Sequence, residues 1–152
     1  MIMMRKMTAE DVPRVLEMMR TFYASDAVST NGSEEIFEID IDECLSDSPY
    51  LDGFVFADDE ENVKGYAMIA HSYSTEFGRR CVWIEDLYLE PELRGTGAAT
   101  RFFDDLKLRY PDAVNRLEAE QENKRAVSAY VKCGFGTLSY LEMIRFPEDF
   151  KG

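Results

Sequence analysis

The stretch Glu85–Phe103, EDLYLEPELRGTGAATRFF, decides how the rest of the chain reads. Its first part alternates and ends at Pro91, which cannot donate to a ladder, so it closes a strand. Its last part carries Ala99, Phe102 and Phe103 at helical spacing, continued by Leu106. Between them stands Arg94-Gly95-Thr96-Gly97. Glycine lets the backbone turn tightly and approach a ligand closely. The first turn of a helix presents unpaired N–H groups at the positive end of its dipole. Such a strand-to-helix joint is a seat for phosphate oxygens. Arg94 can add a forked contact to the same anion or brace the loop. Two carboxylates, Glu85 and Asp86, lie just upstream.

Two familiar phosphate loops do not fit. The P-loop needs Lys followed by Ser or Thr after its last glycine, and none follows Gly97. The dinucleotide fingerprint G-x-G-x-x-G needs a small residue at position 100, where Thr stands. The loop also follows the third strand of an antiparallel run rather than opening an N-terminal βαβ unit.

Upstream, Ile2–Met7 reads as a short strand. Thr8 and Asp11 form a capping box before a helix striped by Val12, Val15, Leu16 and Met19 and reaching towards Phe22. Ser25–Ser33 is a polar loop with Asn-Gly. Glu34–Leu45 is a second, strongly anionic helix; its acids read either as a solvated face or as an attractive wall for a cation. Gly53–Ala57 and Val63–Ser72 form a hairpin about the turn Asp58–Asn62, and Arg80–Leu89 is a third long strand. Downstream, the helix opened by the loop runs from Gly97 to Arg109 and stops at Pro111. Val114–Glu120 is a short strand. A helix follows from Asn123, capped by Gly134, and Thr137–Arg145 is a last strand. The expectation is one α/β (α+β) domain over residues 1–152, helices covering a mixed sheet.

The totals bound the function. The chain has 152 residues, 45% hydrophobic, with 17 basic against 30 acidic side chains and a net charge of −13. That argues against a nucleic-acid backbone or an anionic membrane as partner, and suits a cationic acceptor. Cys44, Cys81 and Cys133 are too few and scattered for a disulfide framework. His71 is the only histidine, with no His, Cys or carboxylate cluster beside it in sequence, so no metal site is expected. No run is apolar enough to span a bilayer, and no signal segment is evident, so a cytoplasmic protein is expected.

Arg94-Gly95-Thr96-Gly97-Ala98-Ala99 resembles the acyl-CoA-binding motif R/Q-x-x-G-x-G/A of the GCN5-related N-acetyltransferases (GNAT). A second block, Asn123-x-x-Ala126-x-x-x-Tyr130-x-x-x-Gly134-Phe135, is similar to the family's later helix. The element order agrees along nearly the whole chain. The words Ile84-Glu85-Asp86-Leu87-Tyr88-Leu89 and the Asn123–Tyr130 spacing look most like the diamine, polyamine (spermidine/spermine-type) and thialysine acetyltransferases. The helix entry Asn123-Lys124-Arg125 lacks the proline and serine of the polyamine enzymes. The resemblance implies the GNAT fold: a twisted sheet of six or seven strands with about four helices, splayed where acyl-CoA lies. It implies acetyl transfer from acetyl-CoA to a primary amine by direct attack, and a homodimer. A diamine, polyamine or related small amine leads as acceptor. A protein or peptide amine is the alternative, and a non-catalytic acyl-CoA-binding module is the reading of another class.

Within that resemblance, Arg94, Gly95, Thr96, Gly97, Ala98 and Ala99 are expected to hold the diphosphate. The strand of Leu87, Tyr88 and Leu89 is expected to pair with the pantetheine arm through its main chain. Period-two alternation puts Glu85 on the face of Leu87 and Leu89, with Asp86 and Tyr88 opposite. The acceptor arrives as a cation and must lose a proton, so Glu85 is the expected base, directly or through water; otherwise it only holds the cation. Asp86 is a supporting or salt-bridging carboxylate. The resemblance gives Tyr130 the role of proton donor to the leaving thiolate; the alternative is an aromatic packing residue. Asn123 would bond the pantetheine, cap its helix, or both. Trp83 and Tyr23 are candidates for the acceptor wall.

Overall fold

The computed structural model describes residues 1–28, 30 and 32–149; Ser29 and Asn31, inside the predicted loop, lie outside the described residues. Five strands form one sheet in the order β1-β2-β3-β4-β5: β1 (Met3–Lys6), β2 (Leu51–Ala57), β3 (Val63–Ser74), β4 (Arg79–Leu89) and β5 (Val114–Leu117). The first four pair antiparallel, and β5 pairs parallel to β4. A parallel neighbour needs a crossover, and α3 (Ala98–Arg109), opened by the glycine loop, supplies it. The other helices are α1 (Val12–Tyr23), α2 (Glu34–Leu45) and α4 (Lys124–Lys132).

Local chemistry sets the ends of these elements. Thr8 N–H donates to the Asp11 carboxylate at 2.8 Å, the reciprocal half of the expected box, and Arg5 clamps the same carboxylate at 2.8 and 2.9 Å. Pro13 then sits in the first turn of α1, where its missing donor costs nothing. Ser33 accepts from the Ile36 amide to start α2, and Gly134, at φ +100°, ends α4 in the left-handed region.

Each sheet face has its own core. One holds α1 and α2 against Val55, Tyr66, Met68 and Tyr88; the other holds α3 and α4 against Phe54, Phe56, Ile69, Val82 and Ile84. Adjacent residues of β2 thus serve opposite cores, and Phe54, Val55 and Phe56 are all buried.

Two expectations are corrected. The sheet has five described strands rather than six or seven. Thr137–Arg145, expected as the last strand, belongs to no strand or helix, and residues 136–148 are all exposed. The apolar pattern is there, but a strand needs a neighbour to bond with, and the segment forms no ladder. The β5 strand also ends at Leu117 rather than Glu120.

Candidate active site

The site lies where β4 and β5 part. Their pairing runs from Cys81↔Val114 to Ile84↔Leu117 and stops there, while β4 continues to Leu89. Beyond Ile84 the main chain of Glu85–Leu89 has no β5 partner, so a slot opens along it. On the other side of β4 the register with β3 slips: Met68 faces Asp86 and Ile69 faces Ile84, leaving Glu85 as a bulged residue with no opposite number. A bulge re-aims side chains and increases local twist. It sets Ile84, Leu87 and Leu89 against the α3 core while Asp86 and Tyr88 bury towards α1 and α2.

A cavity of about 1420 Å³ runs through the slot, from Thr21 and Tyr23 past Glu85, Leu87 and Leu89 to Gly95, Ala98, Asn123 and Tyr130. At one end is the glycine loop. Gly95 and Gly97 have φ of +75° and +86°, a region that penalises any side chain. The loop is braced from within. Arg94 Nε donates to the Leu89 carbonyl at 3.3 Å, Thr96 Oγ1 to the Leu93 carbonyl at 2.5 Å, and Arg101 to the Thr96 carbonyl at 3.3 Å. The Arg94 and Thr96 amides donate to Pro91 and Leu93. Arg94 therefore acts as a brace here, the second of its two expected uses.

Across the slot stands α4. The Asn123 side chain accepts from the Ala126 amide at 3.3 Å and caps that helix while lining the cavity. Tyr130 is held edge-on by Phe103 and Phe135 at 6.3 and 6.0 Å between ring centroids. Burial, with Cys133 beside it, pushes its phenol above the ordinary value, which keeps it protonated. Tyr130 packs in the α3–α4 core, as its second reading has it, and it also lines the cavity. Cys133 itself lies 3.6 Å from the Thr100 hydroxyl.

The other end is acidic. Asp86 is only 4% exposed. Tyr23 Oη donates to its Oδ1 at 2.9 Å and Tyr66 Oη to its Oδ2 at 2.8 Å. Burial lifts its pKa to about 6 even against those two donors. Of the two carboxylates expected at the substrate, Glu85 lines the cavity and Asp86 does not; Tyr23 reaches the rim with its hydroxyl committed to Asp86. Burial first, then Asp86 and Glu142, raise Glu85 above the usual carboxylate range. Trp83 lines the cavity and stacks on the Arg116 guanidinium, 4.6 Å from the ring centroid. Of the acids on α2, Asp40 is half-buried, and its pKa is raised by burial and by Glu85; Glu34, Glu35, Glu38 and Asp42 stay exposed.

Several charged cavity residues were not singled out in the sequence, Glu118, Glu142, Arg125 and Lys132 among them. Glu118 and Glu142 share a hydrogen bond, and burial together with Glu142 lifts Glu118 to about 7. Glu118 follows Leu117, the last β5 residue paired with β4, just as Glu85 follows its partner Ile84, a relation that only the register reveals. Glu142 comes from the segment after α4. Arg125 and Lys132 add cationic groups from α4 to a chain of net charge −13. His71 pairs with Asp52 at 2.7 Å and does not line the cavity. No group of three or more potential metal ligands occurs among the described residues, and no described helix is long and apolar enough to cross a membrane.

Comparison with known proteins agrees with this geometry. Thialysine N-epsilon-acetyltransferase of Bos taurus is 34% identical over 83 residues, 53% of this chain and 48% of that protein; the chain thus matches about half the length of this relative. A possible acetyltransferase of Clostridium difficile 630 superposes with a TM-score of 0.77 at 19% identity, covering 95% of this chain and 96% of that one. A predicted acetyltransferase of Clostridium acetobutylicum, solved with acetyl-CoA, gives 0.72 at 20% identity over 95% and 96%. At such identities the structures speak for the fold alone. The family model described as "Acetyltransferase (GNAT) family" matches residues 15–135, from α1 through the slot, the glycine loop and Tyr130. The chain belongs to the acetyltransferase (GNAT) family.

Proposed function

We propose that the protein moves the acetyl group of acetyl-CoA to a primary amine of a small cationic acceptor, a diamine, polyamine or thialysine-like compound, by direct attack in a ternary complex. The observation that carries this reading is the single cavity joining the glycine loop to the carboxylates Glu85, Glu118 and Glu142 through the slot beside β4. The residues fit acetyl-CoA. The amides of Gly95, Gly97, Ala98 and Ala99 seat the diphosphate at the start of α3, with Arg125 and Lys132 adding charge nearby. The main chain at Leu87–Leu89, unpaired on the β5 side, bonds the pantetheine amides as an added strand would. Asn123 closes the other wall.

When bound, acetyl-CoA supplies the thioester carbon. The chain's part is to hold the amine, take its proton and return one to the thiolate. Glu85 accepts the proton, directly or through water; a carboxylate raised towards neutrality is a better base than an ordinary one. Tyr130, kept protonated by burial, donates to the leaving sulfur. Main-chain N–H groups of β4 polarise the thioester carbonyl. Trp83 and the acids around Glu85 face the alkylammonium body. The thialysine acetyltransferase match supports a small amine. A homodimer and a cytoplasmic location belong to the same reading.

The test is CoA release measured with spermidine, short diamines, thialysine, free amino acids and lysine peptides. Turnover with one or more small cationic amines is expected. Turnover confined to peptides transfers the reading to a peptide acetyltransferase, and acyl-CoA binding without turnover on any amine refutes transfer.

A further inference from the structure

The glycine loop has to meet an anion, yet the chain enters it through two carboxylates, Glu90 and Glu92. Left unpaired, they would repel a diphosphate seated on the amides that follow. Each is matched by a cation from another element. Arg14, near the start of α1, pairs through Nη2 with Glu90, and Lys64, in β3, pairs through Nζ with Glu92 at 2.9 Å. The Arg14 pair is the more sheltered: the side chains of Arg14 and Glu90 are 31% and 23% exposed, against 62% for Glu92. Arg14 is itself held in place. Its Nε donates to the Val63 carbonyl at 3.1 Å and its Nη1 to Glu17 at 3.0 Å.

The β3–β4 ladder ends here, with Gly65 facing Leu89. One step further, the Glu90 amide donates to the Lys64 carbonyl at 2.9 Å. Glu90 is therefore tied to β3 by its main chain and to α1 by its side chain. Beyond it the loop is braced by its own bonds, from the Arg94 and Thr96 amides to the Pro91 and Leu93 carbonyls. Those bonds fix the shape of the loop. The Arg14–Glu90 pair fixes where that shape begins, and a seat made of main-chain donors works only when its donors are correctly placed. Neither Arg14 nor Glu90 lines the cavity. The α1 helix thus reaches the site at both ends, through Arg14 at the entrance of the loop and through Tyr23 at Asp86.

We propose that Arg14 is a positioning residue for acetyl-CoA: through its pair with Glu90 it sets the start of the glycine loop and cancels the carboxylate charge at the loop's entrance. This rests on the reading of the loop as the diphosphate seat. Arginine is required because one planar fork bonds Val63 and Glu90 together, which a lysine ammonium on a flexible stem does not reproduce.

Calorimetric titration of the full chain with CoA tests this in wild type, Arg14→Gln, Arg14→Lys and the double variant Arg14→Gln/Glu90→Gln. Arg5→Gln is the control. The Arg5 side chain is 35% exposed and pairs with buried Asp11, but neither Asp11 nor its second partner Glu61 belongs to the loop. Arg14→Gln leaves Glu90 charged and the loop untied. A seat that keeps its binding pose about a tenth of the time raises the CoA dissociation constant about tenfold. Removing the Glu90 charge as well should recover part of the loss, to about threefold above wild type, because the two residues act as a pair. Arg14→Lys should fall between wild type and Arg14→Gln. Arg5→Gln should lower stability and leave CoA binding unchanged. The KM for acetyl-CoA should follow the dissociation constant while kcat at saturation stays within about twofold. In hydrogen exchange without CoA, the bonded amides of Glu90, Arg94 and Thr96 should exchange faster in Arg14→Gln than in Arg5→Gln. CoA binding that Arg14→Gln leaves unchanged, or a double variant weaker than Arg14→Gln alone, overturns the proposal and leaves the cofactor seat standing. A wild type that does not bind CoA overturns the seat and the proposal together.

Discussion

Replacing Asp86 by Asn should make the protein more stable at neutral pH and leave it little changed in acid. Asp86 is 4% exposed and accepts from Tyr23 and Tyr66, and burial raises its pKa from 3.8 to about 6. A carboxyl whose folded pKa exceeds its unfolded value contributes stability in full below the unfolded value and loses it as pH rises through the folded one. Here the loss falls between pH 3.8 and about 6. Two pKa units correspond to about 3 kcal/mol in total, of which about 1.4 kcal/mol falls between pH 5 and pH 7.5. Asn keeps the shape, its oxygen accepts from one tyrosine, and its amide can donate to the other hydroxyl. It has no charge to desolvate. Chemical denaturation of both proteins at pH 5 and 7.5 reads the effect; Glu85, raised in part by the Asp86 charge, adds a smaller change of the same sign. The stability difference, Asn minus Asp, should grow by about 1.4 kcal/mol, worth roughly 3–6 °C in melting temperature for a chain of this size. A difference that stays constant with pH would refute the claim that Asp86 is held near neutrality by burial.

Tyr130→Phe should lower kcat about 100-fold with the KM for acetyl-CoA unchanged, since the ring's contacts with Phe103 and Phe135 persist; equal turnover at saturating amine would remove Tyr130 as the acid. Glu85→Gln should abolish the rise of kcat with pH on its acidic limb, because the raised carboxyl must first lose its proton; superimposable pH profiles would pass the base role to another group or to water. Gly97→Val forces a β-branched residue to φ +86°, costs about 1–2 kcal/mol, and should raise the acetyl-CoA KM more than the amine KM; calorimetric titration with CoA reads it directly. Phe102→Ala, at 1% exposure in the α3 core, should cost about 3–5 kcal/mol in urea unfolding.

These variants divide the molecule into what local sequence encodes and what pairing creates. The α2 helix appears over Glu34–Leu45 as its spacing predicts, and the Thr8–Asp11 box and the Gly134 cap lie where their chemistry requires. The glycine loop was legible because every part of its function lies within six consecutive residues. The acceptor end was not, because Glu85, Glu118 and Glu142 come from β4, the end of β5 and the segment after α4, far apart in sequence. Alternation alone puts Glu85 and Asp86 on opposite faces of β4, but the bulge that leaves Glu85 without a cross-strand neighbour depends on the β3 register, which has no local signature. Residues 137–145 show the opposite failure. Their pattern asks for a strand, and the protomer supplies no partner, because strand formation belongs to a pair of segments and not to one. One residue of this segment, Glu142, still lines the cavity beside Glu118, so a stretch that joins no sheet contributes to the candidate site by its side chain alone.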